Sequence, residues 1–106
     1  MIARLWHGIT PTSKADDYIE YLNRTGVPDY RAVEGNRGVH VLRRIEGGQA
    51  HFLILTFWDS VEAVKKFAGE DFEKARYYPE DADYLLEFEE KVAHYEVLFS
   101  APSRES

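Results

Sequence analysis

The sequence predicts an α+β fold, a ferredoxin-like β-α-β-β-α-β chain with one antiparallel sheet. Three observations carry that reading. Four segments, residues 2–9, 39–45, 52–58 and 92–99, have the two-residue alternation or the dense β-branched and aromatic content of strands. Two others, opening near Ser13 and Ser60, space their apolar residues for one helical stripe. Gly47-Gly48 joins the second and third strands as a hairpin, so the helices fall in the two crossover positions of a split βαβ unit.

The first strand, IARLWHGI, sets Ala3, Leu5, His7 and Ile9 on one face and Ile2, Arg4, Trp6 and Gly8 on the other. Thr10-Pro11-Thr12-Ser13 reads as a helix entrance, with Ser13 and Asp16 spaced as a capping box. Ala15, Tyr18, Ile19 and Leu22 form the stripe, and Gly26 with Pro28 is expected to end the helix. Gly35-Asn36-Arg37-Gly38 is a loop. The third strand, FLILTFW, is the most apolar. Asp59-Ser60-Val61-Glu62 then starts the second helix, whose stripe is Val61, Val64, Phe67 and Ala68. Gly69 breaks it, and a short second helical piece is expected through Arg76. Pro79 bars continuation because its ring removes a donor and clashes with the preceding turn.

The chain of 106 residues makes a single domain over residues 1–99, and residues 100–106 form a polar tail expected to fray. Lys plus Arg number 13 against 19 for Asp plus Glu, a net charge of -6. That balance argues against nucleic acid as a partner, because a polyanion needs a positive patch. Arg37, Arg43 and Arg44 are read as a solvated strand edge. With no cysteine, a disulfide scaffold, a thiolate metal site and a cysteine nucleophile are excluded. No apolar run approaches the roughly 20 residues of a membrane span, and MIARLWHG lacks the regions of a signal peptide. A cytoplasmic protein that does not engage a membrane is expected. The histidines show no metal-ligand spacing, and the Gly35–Gly38 loop lacks the strand-then-helix context of a phosphate cradle.

Both helices of this topology cover one face of the sheet. A free opposite face would make the central strand alternate apolar and polar. Residues 52–58 do not: Phe52, Ile54 and Trp58 point one way, Leu53, Leu55 and Phe57 the other. Burying each large apolar side chain is worth roughly 1.5 to 3 kcal/mol. A homodimer with two sheets packed face to face is therefore expected.

The stretch LTFWDSVEAVKKFAGEDFEKA, residues 55–75, resembles the antibiotic-biosynthesis monooxygenase family of dimeric α+β barrels: a strand ending in Trp, a polar pair, a helix with an early Ala, then a second short helix. The element order is similar too, over nearly all of residues 1–99. The resemblance implies a cofactor-independent oxygenase acting on a small apolar or aromatic, quinol-like ligand between helices and sheet. Trp58 matches the strand-ending Trp of many members. Haem-degrading members carry an Asn near His7, a Trp where this chain has Phe67, and a haem-ligating His ten residues on, where it has Tyr77. None is kept in kind, so no cofactor is expected and haem is the weaker alternative. A non-catalytic barrel that binds a small apolar ligand or serves a stress role is the other.

The family's cofactor-free chemistry asks for an apolar pocket, a base and donors for an anion. Candidate catalytic residues are His7 as base, with Arg76 and Tyr77 stabilising the oxyanion. Leu5, Trp58, Phe67, Phe72 and Tyr78 are the candidate substrate-binding walls. Tyr77 and Tyr78 either line that pocket or simply close the fold, with Tyr84, Leu85 and Phe88 anchoring the segment.

Overall fold

The computed structural model describes residues 1–101. Its strands are β1 (Ile2–Pro11), β2 (Asn36–Glu46), β3 (Gln49–Trp58) and β4 (Ala93–Glu96). Its helices are α1 (Ala15–Arg24), α2 (Gly26–Ala32) and α3 (Val61–Ala68), with 3-10 turns at Thr12–Lys14 and Pro79–Asp83. The four strands form one antiparallel sheet in the order β2-β3-β1-β4. This is the predicted α+β, ferredoxin-like arrangement. Within one chain the sheet is open, so no barrel closes without a second copy.

Pairing of β1 with β3 sets Trp6 opposite Ile54 and Gly8 opposite Phe52, all on the helix side. Tyr18 of α1 packs edge-on to Phe52 at 5.1 Å, and Phe67 of α3 lies 5.8 Å from Trp58. Both helical layers therefore cover one face. Phe52, Trp58, Tyr18, Tyr21 and Val64 are buried there. Thr56 sits in this apolar row because its hydroxyl accepts the Trp58 indole N–H at 2.9 Å and donates to the Arg4 carbonyl.

Several local expectations change. Gly26 and Pro28 do not end the helical region. They open α2, where proline in a first turn loses no hydrogen bond. Thr25 marks the break, its hydroxyl donating to the Tyr21 carbonyl at 2.7 Å. Ser13 does not cap α1: it lies inside the 3-10 turn, and α1 has no side-chain cap. Ser60 does cap α3, accepting the Ala63 amide at 3.2 Å. Residues 70–76 form no helix. They run beside the segment before β4 instead, with Ala75 N–H donating to Glu90 and Val92 N–H to Glu73. The last strand is shorter than residues 92–99. Of the tail, residues 102–106 lie outside the described residues. No helix among the described residues is long and apolar enough to cross a membrane.

Candidate functional site

The sheet separates the predicted site residues into two groups. On the helix side, Phe67, Arg76 and Tyr78 join Trp6, Tyr30 and Asp81 around a cavity of about 20 Å³. That is room for a single water. Trp58 stands behind it, against Tyr30 and Phe67. Phe72 lies further along, edge-on to His94 of β4 at 5.1 Å. Leu5 and His7 point to the other face, where Leu5 is paired with Leu55 and His7 with Leu53.

Each helix-side residue is placed by a local cause. Arg76 donates to the Phe67 carbonyl at 3.0 Å, and its guanidinium carbon stands 4.8 Å from the Phe67 ring centre. That last-turn carbonyl of α3 has no partner within the helix, and a cation suits it. Tyr78 precedes Pro79, and its amide donates to the Asp81 carboxylate at 2.6 Å. Its hydroxyl is hydrogen-bonded to Asp29 of α2. Asp81 is only 3 % exposed and also accepts the Tyr18 hydroxyl at 3.4 Å. Burial raises the Asp81 carboxyl above the usual carboxylate value, although the Tyr78 amide and Tyr18 hydroxyl pull it back. Burial also pushes the Tyr18 and Tyr78 phenols up, with Asp81 and Asp29 adding to it.

Tyr77 packs edge-on to Trp6 at 6.2 Å and to Phe88 at 5.0 Å. Its hydroxyl donates to the Glu89 carbonyl at 2.6 Å, and burial, then the Glu89 charge, raises its phenol. It borders an open groove of about 530 Å³ between residues 71–77 and 88–91. Tyr84 stacks on Tyr21, Leu85 is buried, and Phe88 stays half exposed. Within residues 70–88 the two roles weighed from sequence fall to different side chains. Tyr84 and Leu85 close the fold, while Arg76, Tyr78 and Asp81 reach the cavity.

His7 belongs to a separate chain of groups on the open face. Its Nδ1 is hydrogen-bonded to the Glu89 carboxylate, and its Nε2 lies 3.0 Å from Nδ1 of His51. His51 Nε2 is 3.6 Å from Glu46. Both His7 nitrogens are engaged, and the sheet stands between them and Arg76. The residue that shares the cavity with Arg76 and can take a proton is Asp81. Sequence reading missed Asp81, Tyr30 and Trp6 as site residues. The signal for Trp6 was present, since it alternates onto the face opposite His7.

The family profile described as antibiotic biosynthesis monooxygenase matches residues 9–76, more than half of the chain. The chain belongs to this family. An antibiotic biosynthesis monooxygenase-type structure from Bacillus cereus is 17% identical, with a TM-score of 0.64, covering 96% of this chain and 97% of that one. One from Nitrosomonas europaea is 17% identical at 0.63, covering 93% and 100%. The haem-degrader MhuD from Mycobacterium tuberculosis, with two haems in its active site, is 18% identical at 0.60, covering 96% and 100%. At such identities the likeness is one of fold. No curated protein matches the chain.

The MhuD structure holds haem, and the residues described here fit that group poorly. The Tyr77 phenol is raised, away from the phenolate that ligates iron, and its hydroxyl is spent on Glu89. The adjoining groove carries Asp71, Glu73, Glu89 and Glu90 against Lys74 and Lys91, an acidic balance that disfavours propionates. Among the described residues no three His, Cys, Asp or Glu side chains are grouped to hold a metal ion.

Proposed function

We propose that the protein is a homodimeric, cofactor-independent monooxygenase that oxidises a small electron-rich phenol in the cavity between helices and sheet. The observation that carries the proposal is the meeting of Arg76 and Asp81 in one aromatic-walled cavity. Asp81 has the raised carboxyl of a usable base, and Arg76 supplies charge to the anion it makes. Family membership supports the reaction type.

Asp81 takes the phenolic proton. The phenolate, held by Arg76, gives one electron to dioxygen, and the two radicals join at the para carbon. That carbon loses its hydrogen as a proton, the O–O bond breaks and water leaves. One phenol and one dioxygen become one quinone and one water, with no external reductant. The cavity is water-sized as it stands, so substrate enters when the Gly69–Tyr78 segment lifts; that segment contains no helix and is tied to the chain before β4 by the Ala75–Glu90 and Val92–Glu73 backbone hydrogen bonds, which opening would break. His7 is too distant in topology to take part, and Tyr77 acts as a wall of the entrance beside Trp6.

Oxygen uptake with a panel of phenols and dihydroquinones tests this. Uptake without added metal, flavin or haem is the expected result, and Asp81→Asn should lower kcat by about 10²- to 10⁴-fold. No uptake with any of the panel overturns the proposal. Titration with haem should leave its Soret band unshifted.

A further inference from the structure

Every buried polar side-chain atom without a partner, among the described residues, belongs to three neighbours on the helix side of the sheet. They are Nε and Nη2 of Arg4, Nε1 of Trp6, and both ring nitrogens of His94. Arg4 and His94 are directly paired across β1 and β4, and Trp6 is two residues along β1 on the same face. Arg4 is 1 % exposed. Its guanidinium carbon stands 5.4 Å from the Phe67 ring centre, and Arg76 shares that ring at 4.8 Å. The groups that act on its charge are the Tyr30 hydroxyl and Arg76, a second cation. His94 adds no negative charge, and burial followed by Arg4 lowers its imidazole below the usual value.

A buried cation without a carboxylate is costly, and water would satisfy its N–H groups but not its charge. The two unpartnered atoms also have a geometry. Nε–H and Nη2–H lie along one edge of the guanidinium and point the same way, the fork that meets both oxygens of a carboxylate. The Phe67 ring faces the guanidinium, and Phe67, with Tyr30 and Trp6, also lines the helix-side cavity.

We propose that Arg4 is the floor of a binding site for a small aromatic carboxylate, reached when the Gly69–Tyr78 segment lifts and closed over by Arg76. This rests on the reading of the helix-side cavity as the substrate site and names its substrate class: phenols that carry a carboxylate.

Binding is read without turnover, using sodium benzoate as the probe and benzamide as its neutral counterpart. Benzoate should raise the Tm of the wild-type chain in a concentration-dependent way and shift the Arg4 Nε–H cross-peak in nitrogen-edited NMR; benzamide should do neither. Arg4→Lys keeps the charge but not the fork, and should weaken benzoate binding about tenfold or more. Arg4→Met should abolish it while melting at or above the ligand-free wild type, because it removes an unpaired buried charge. Equal responses to benzoate and benzamide, or no response of the wild type to benzoate, overturn the site even if either variant fails to fold. If benzoate binds but no phenol supports oxygen uptake, the carboxylate site stands and the oxygenase reading falls.

Discussion

Gly8 shows how one residue positions the cavity wall. It lies on the helix face two residues after Trp6, and a Cβ there would stand 2.3 Å from Cη2 of the Trp6 ring. The indole therefore lies across bare backbone. Gly8→Ala is expected to destabilise the fold by about 1 to 3 kcal/mol and to change Trp6 fluorescence, checked by denaturant melts at the indole emission. Two titratable groups on the helix side, Asp81 buried and His94 half-buried, pull stability in opposite directions with pH. Burial raises Asp81, so the folded state holds that proton more tightly than the unfolded chain. Its contribution is full at low pH and is lost as pH rises through the raised folded value. Asp81→Asn keeps an acceptor for the Tyr78 amide, and should melt above the wild type at about pH 7, the gap closing toward about pH 4. His94 is lowered below its usual 6.5 by burial and by Arg4. Its contribution is present above 6.5 and is lost as pH falls through the lowered folded value. Replacing His94 by Phe should flatten that acid-side slope in thermal melts. From sequence, Trp58 and Phe67 were legible as aromatics packed on the helix side of the sheet, because their strand and helix periods were clear. Arg4 was not: an arginine beside Trp6 in a strand looks the same whether its head reaches water or is sealed under an α3 phenylalanine.

Local signals fixed those elements whose ends are closed by short-range chemistry. Ser60 caps α3 and Gly69 ends it at a φ of 85° that suits glycine. Ser60→Ala should cost about 1 kcal/mol, measured as a shift in the denaturant midpoint. Gly35, at φ 93°, also admits no Cβ, since one would stand 2.6 Å from the Ala63 side chain. The loop before β2 is thereby pressed against the start of α3. Where two local readings compete, packing chose. Gly26-Val27-Pro28 is a helix stop or a first turn, and α2 forms because Tyr30 then reaches Trp58 and Phe67. Residues 70–76 have helical composition, yet they pair with the chain before β4, where Lys74 bridges Lys91, a partner 17 residues on that no local pattern announces.

Among the described residues, one face of the sheet is left without cover. Leu5, Leu53, Leu55 and Phe57 are only half buried there, while Leu42 is 47% and Tyr95 57% exposed. A second copy laid on this face would bury them, as the apolar content of both sides of residues 52–58 leads one to expect. Sedimentation of the wild-type chain at micromolar concentration is expected to give a dimer, and Leu55→Lys a monomer; a monomeric wild type would remove the dimer. The sequence by itself determined the element order, the antiparallel sheet, the family and the greasy character of the third strand, because periodicity and turn chemistry act over a few residues. Only the tertiary structure decided that His7 and Arg76 stand on opposite sides of the sheet, that Asp81 is buried beside Tyr18, and that Arg4 has no counter-ion among the described residues. Those facts depend on which distant segments meet. Burial and pairing are set by neighbours in space, which spacing along a chain does not encode.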